Sequence, residues 1–161
     1  MFRIFPEDSK IIFFGNLGSG KSTLLNALIQ EKVFKSGISA GTGLTDKMSK
    51  YIKNNITFVD TPALAADPIN GKQSAQEINQ ALKLGGNTFI VFIIRLSSGR
   101  VSAEDKAMID LILNSIPNIG DKFSIIVNFS RNSCLDELKT LNHKITNIYF
   151  FPYITEAYEK N

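Results

Sequence analysis

One cysteine, Cys134, is all that the chain carries, so no internal disulfide can form, and no Cys/His cluster exists to bind zinc. A reducing compartment suits such a chain, and a cytoplasmic location is the expectation. The single histidine, His143, has no companion for a metal site or a catalytic triad and reads as a surface or packing residue. Long apolar runs are missing too. The longest, Phe89–Ile94, has six residues, against the roughly 20 that a membrane-spanning helix needs. The opening segment MFRIFPEDSK puts acidic and polar residues where a signal peptide needs its apolar centre, so secretion is not expected. An excess of one charge is also lacking. Eighteen Lys and Arg against 15 Asp and Glu leave a net charge of +3, spread along the chain and too mild to predict nucleic-acid binding.

What remains is a globular composition. Hydrophobic residues at 43% and charged residues at 20% exclude a disordered tail or a fibre. A length of 161 residues suffices for one core without staples. No internal repeat or linker interrupts it, and the expectation is a single domain over residues 1–161.

The hydrophobic pattern alternates between two periods. Ile11–Phe14 is a continuous β-branched and aromatic run that ends in glycine, as a strand buried on both faces does. Lys21–Gln30 turns helical, with Leu24, Leu25, Leu28 and Ile29 on one face. Residues 35–47, rich in Ser, Gly and Thr, form a long loop. Met48–Lys53 and Ile56–Asp60 read as strands joined at Asn54-Asn55, a pair that tolerates the left-handed backbone of a hairpin turn. Thr61–Gly71 reads as a loop. Gln73–Leu84 predicts a helix with Ile78, Ala81 and Leu82 inward, ended by Gly85-Gly86. Thr88–Ile94 is a core strand. Ser102 caps a further helix, with Asp105 three residues on and Ala107, Met108, Leu111 and Ile112 as its apolar face. Phe123–Val127 reads as a strand, Ser133–Lys144 as a helix with Leu135, Leu138 and Leu141 inward, and Ile148–Phe151 as the last strand. Such alternation implies an α/β fold, a three-layer sandwich whose mostly parallel six-stranded sheet has one antiparallel edge strand, and the glycine-rich GNLGSGKS that follows the first strand makes it one of the P-loop NTPase kind. Ligands then bind at the carboxyl ends of the strands.

Gly15-Asn16-Leu17-Gly18-Ser19-Gly20-Lys21-Ser22 satisfies GxxxxGK[ST] and sits between a predicted strand and a predicted helix. Its glycines let backbone N–H groups of Asn16 to Ser22 turn around a phosphate chain, and the helix that continues through Thr23 points its positive end there. Lys21 adds a point charge, and Ser22 offers a hydroxyl to Mg²⁺. Asp60 ends an apolar strand just before Thr61-Pro62, which suits a second magnesium anchor acting through water. Thr45, in the long loop, is the expected third ligand, preferred over Thr42 because Leu44 and the strand start at Lys47-Met48 give it fixed neighbours.

With these motifs in view, the chain resembles the immunity-associated (AIG1-type) GTP-binding proteins, relatives of septins and chloroplast import GTPases. GNLGSGKSTLLNALI is close to that family's phosphate-loop block. VFKSGISAGTGLTDKM is similar to its first switch, with Thr45 as the switch threonine, and FVDTPALAAD to its second. The segment from Ile93 to Asp105, ending RVSAED, resembles its additional box, an apolar strand followed by R-[FV]-[ST]-x-E-D opening a helix. The resemblance covers about residues 10–130 and implies a Mg²⁺-dependent GTP/GDP switch with slow hydrolysis and a possible nucleotide-dependent homodimer. It also implies that the terminal helix is shortened here.

Two positions depart from the family pattern. Ala63 replaces the glycine after DTP whose amide turns toward the γ-phosphate, and alanine resists positive φ. Asn128-Phe129-Ser130-Arg131 keeps the asparagine of the guanine-reading motif but has Arg131 where an acid accepts guanine N–H groups. Guanine preference therefore rests on the resemblance, and ATP stays open. No glutamine or histidine follows Asp60 closely enough to be assigned as the catalytic group. Two other readings remain beside the slow GTPase: a P-loop ATPase, and a non-hydrolysing G domain that serves as an interaction module.

Overall fold

The computed structural model describes residues 6–35, 47–63, 68–116, 119–128, 138 and 147–150. Strands β1 (Lys10–Phe14), β2 (Ser49–Lys53), β3 (Ile56–Asp60), β4 (Thr88–Arg95), β5 (Phe123–Asn128) and β6 (Ile148–Phe150) form one sheet in the order β2-β3-β1-β4-β5-β6. Every pairing is parallel except β2 with β3. This is the α/β sheet with one antiparallel edge that the alternation predicts.

Among the described residues three helices with defined bounds cover it: α1 (Lys21–Ile29), α2 (Pro68–Leu82) and α3 (Ala103–Asn114). The period-2 alternation of side chains along β1 decides which face each helix takes. Ile12 and Phe14 point into a cluster with Ile78 and Ala81 of α2 and Met108, Ile109, Ile112 and Leu113 of α3. Ile11 and Phe13 point the other way, onto Leu24, Leu25 and Ile29 of α1. Phe92, fully buried, sits 6.0 Å from the Phe14 ring and 6.3 Å edge-on to Phe123, so the aromatic rings tie β1, β4 and β5 together.

The hairpin turn between β2 and β3 is as expected, with Asn54 and Asn55 both left-handed at φ 50 and 59°. Three expectations change. Helix α2 starts at Pro68 rather than Gln73, because proline is well suited to the first helical turn, where its missing N–H has no partner to lose. Leu28, in the last turn of α1, stays 46% exposed. In α3 the inward face is Asp105, Met108, Ile109, Ile112 and Leu113, while Leu111 is 58% exposed. The inward stripe thus starts at an acid, which the apolar pattern alone does not reveal. Of the predicted helix Ser133–Lys144 only Leu138 is described, helical and buried in the core; Cys134 and His143 lie outside the described residues.

The chain leaves β1 toward β3 on one side and β4 on the other, with α1 and α2 on opposite faces. That reversal opens a crevice at the carboxyl end of β1, the place where α/β sheets bind ligands.

Candidate phosphate-binding site

The crevice is filled by the loop from Gly15 to Gly20. Gly15 passes so close to β4 that a Cβ there would lie 2.6 Å from the Ile93 carbonyl oxygen and 2.6 Å from Ser19 Oγ, so a side chain is excluded. The loop turns back at once, the Ser19 N–H donating to the Asn16 carbonyl at 3.1 Å. Gly18 and Gly20 adopt φ of 77 and 80°, and Gly20 is the residue from which α1 begins. No side chain caps that helix start and no acid lies in its first turn. Its N–H groups and the positive end of its dipole are thus left for an anion from outside.

Lys21 and Ser22 follow directly and both meet the acid at the end of β3. Lys21 Nζ stands 2.8 Å from Asp60 Oδ1, and the Ser22 hydroxyl donates to Asp60 Oδ2 at 2.7 Å. The parallel register Phe13↔Asp60 sets this meeting, placing the carboxylate level with the end of β1. Asp60 is 1% exposed and Lys21 7%, so each charge depends on the other. Thr61, also buried, donates its hydroxyl to the Phe13 carbonyl at 2.7 Å and locks β3 to β1 beyond the last paired residue.

Two side chains from distant elements brace the loop from behind. Asn128, at the end of β5 and 2% exposed, donates its amide to the Ser19 carbonyl at 2.9 Å. The side chain thus holds the loop backbone. Asn16 donates to Asp105 Oδ1 at 2.8 Å. Burial raises the Asp105 pKa above the usual carboxylate range, against the hydrogen bonds from Asn16 and Ser102 that pull it back. Sequence reading placed Asp105 only as part of a helix entry, and nothing local to it signals a contact 89 residues away.

Of the other expected site residues, Leu17 is 56% exposed at the loop tip and Thr23 is exposed on α1. Ala63 is half-buried, and its φ is not positive, so its β-carbon creates no backbone strain in this conformation. Thr45 and Phe129–Arg131 lie outside the described residues. The loop bearing Thr45 has both approaches pinned. Asn26 accepts from the N–H groups of Val33 (3.0 Å) and Phe34 (2.8 Å) and donates to the Phe34 carbonyl. On the far side, Glu77 of α2 accepts from the Met48 N–H at 2.9 Å.

A glycine-rich loop, its lysine and serine, and a facing aspartate make a phosphate cradle, and residues 10–129 match the family model described as 50S ribosome-binding GTPase. The chain belongs to this GTPase family. Over 129 residues this GTPase is 32% identical to the probable GTP-binding protein EngB of Mycoplasma pneumoniae, covering 76% of this chain and 63% of that protein. Over 108 residues it is 31% identical to the immune-associated nucleotide-binding protein 4 of Arabidopsis thaliana, covering 63% of this chain and 33% of that one. The near-equal identities establish the GTPase family, within which the immunity-associated proteins are one relative among several. The chain spans less than two-thirds of either relative. Among solved structures, Toc33 from Arabidopsis thaliana in complex with GDP and Mg²⁺ has a TM-score of 0.59 and 25% identity, covering 81% of this chain and 54% of that one. A further structure, 23% identical with a TM-score of 0.61 over 81% of this chain and 54% of that one, belongs to work showing that dimerization is important for the GTPase activity of the chloroplast translocon components Toc33 and Toc159. Among the described residues no helix is long and apolar enough to cross a membrane.

Proposed function

We propose that this GTPase binds GTP and GDP with Mg²⁺ in the cradle of Gly15–Ser22 and Asp60, and hydrolyses GTP to GDP and phosphate slowly as a molecular switch. The observation that carries this is the convergence of Lys21 and Ser22 on Asp60, at 2.8 and 2.7 Å. On this reading the N–H groups of Asn16 to Thr23 receive the phosphates and Lys21 exchanges Asp60 for their terminal oxygens. Such an exchange substitutes one anion for another around the buried cation, and Mg²⁺ would replace Lys21 as the positive charge facing the buried Asp60.

The residues fit magnesium. Ser22 Oγ and Asp60 Oδ2 are both hard oxygen donors of the kind magnesium prefers, and the 2.7 Å hydrogen bond between them brings them to one place beside the loop. Ser22 would hold the ion directly, Asp60 through water and Thr45 from the long loop. The ion supplies charge neutralisation at the phosphate oxygens. What is described directly after Asp60 supports slow turnover. The Thr61 hydroxyl is engaged by Phe13, and Ala63 carries no group able to orient water.

Support for a place near the immunity-associated branch comes from the Arg100–Asp105 segment, and support for a nucleotide-dependent homodimer from that likeness. A second reading, a non-hydrolysing module, draws on Arg131 in the base motif. Competition of unlabelled GTP, GDP and ATP against labelled GDP on purified protein with Mg²⁺ separates these. Displacement by GTP and GDP alone supports the proposal. Preferential displacement by ATP makes the chain an ATPase, and absence of Mg²⁺-dependent binding makes it an interaction module.

A further inference from the structure

From the placement of Asp105 we infer that it is a positioning residue for the phosphate loop. By holding the Asn16 side chain it sets the loop's first turn before any phosphate arrives, and it joins α3 to nucleotide occupancy. The inference rests on the nucleotide-binding reading of the cradle.

Asp105 sits in the first turn of α3, where an acid suits the helix dipole without further role. That bland explanation applies to its neighbour. Glu104 lies in the same turn, is exposed, and meets the dipole from solvent. Asp105 turns inward to 5% exposure, and burial disfavours its charged form, a cost that dipole compensation does not require. What the inward position secures is the 2.8 Å hydrogen bond from Asn16 Nδ2.

Asn16 is the residue on which the loop's shape turns. Behind it, Gly15 is pressed against the Ile93 carbonyl. Ahead of it, the Asn16 carbonyl receives the Ser19 N–H at 3.1 Å. Asn128 holds the other end of that same turn through the Ser19 carbonyl at 2.9 Å. With Asn16 tied to α3 and Ser19 tied to β5, both ends of the turn are fixed from outside, and its N–H groups are set in place without a ligand. Pre-set donors bind an anion more tightly than donors that must be ordered on binding. The tie also runs in reverse, because a loop drawn tight around phosphates bears on Asp105 and hence on the entry of α3. Ser102 caps the same entry, its side chain accepting from the Asp105 N–H at 3.0 Å.

The test combines Asn16→Ala, Asp105→Ala, Asp105→Asn and the Asn16→Ala/Asp105→Ala double variant. GDP affinity with Mg²⁺ is read by titration, and amide hydrogen exchange at Gly18, Ser19 and Gly20 is read in nucleotide-free protein. Expected are an about tenfold weaker affinity in each alanine single variant, no further loss in the double variant, and near-wild-type affinity in Asp105→Asn, which keeps an acceptor oxygen. The three loop amides exchange faster in both alanine variants. Leu113→Ala, which loosens α3 from the core without touching Asn16, lowers the melting temperature and leaves affinity unchanged at temperatures where the protein is folded. The inference is overturned if Asp105→Ala binds GDP like wild type with unchanged exchange, if the single losses add, or if Asp105→Asn is as weak as Asp105→Ala. Should wild type bind no guanine nucleotide, the proposed function fails, and the exchange of the loop amides still decides the role of Asp105.

Discussion

Lys21 and Ser22 both converge on Asp60 at the mouth of the loop, and the chemistry at the residue scale is that of charges with few alternatives. Removing one member of a buried pair leaves the other uncompensated, at a cost of about 3–5 kcal/mol. Lys21→Ala is therefore expected to lower the melting temperature as well as weaken nucleotide binding by at least about a hundredfold. Lys21→Arg keeps the charge for Asp60 and separates the two effects: it is expected to restore most of the melting temperature but little of the affinity, because its planar fork does not reproduce a single ammonium point. Asp105 gives a pH prediction of definite sign. Burial raises its pKa in the folded protein, so the stability of the neutral form is present below the ordinary carboxylate range and is lost as pH rises through the folded value. Asp105→Asn should then melt higher than wild type near pH 7, and the difference should close as pH falls below about 4. Thermal melts across that range check it; a difference that widens at low pH contradicts it.

At the scale of elements, strands and turns were more legible than helix phase. The β1 run Ile11–Phe14, the Asn54-Asn55 turn and the glycine-bounded loop each announce themselves by composition, because buried strands and left-handed turns restrict residue choice locally. Asn55→Val tests that reading. A β-branched residue at φ 59° should destabilise the β2–β3 hairpin by about 1–2 kcal/mol, measured by denaturant unfolding. Helix α3 shows why other features stayed hidden. Its apolar residues admit two phases, and the inward one carries an acid whose partner is in the phosphate loop, which no local pattern encodes. The same holds for Asn128. Its place at the end of β5 was readable as part of a site, but its bond to the Ser19 carbonyl depends on how β5 and the loop end at one sheet edge. Glu77 adds a contact of the same kind, joining α2 to the start of β2 at Met48.

For the molecule as a whole, the sheet order places every site residue described above at the carboxyl edge of the strands or at a helix entry beside it. Binding there ties together β1, β3, β5, α1 and α3, so a ligand that binds only the folded state should stabilise the protein as a unit. GDP at about a hundred times its dissociation constant is expected to add about 2.7 kcal/mol with Mg²⁺ present, seen as a single cooperative shift of the unfolding transition. If the homodimer forms with nucleotide, specific GTPase activity should rise with protein concentration; a constant value contradicts that part of the account. The central claim is that the loop, Lys21 and Asp60 form one magnesium-dependent nucleotide cradle. It is tested most directly by calorimetric titration of GDP into nucleotide-free wild-type and Lys21→Ala protein, each with Mg²⁺ and with a chelator. The account predicts saturable one-site binding to wild type that weakens sharply without Mg²⁺ and is abolished in Lys21→Ala; equal affinity of the two proteins would contradict it.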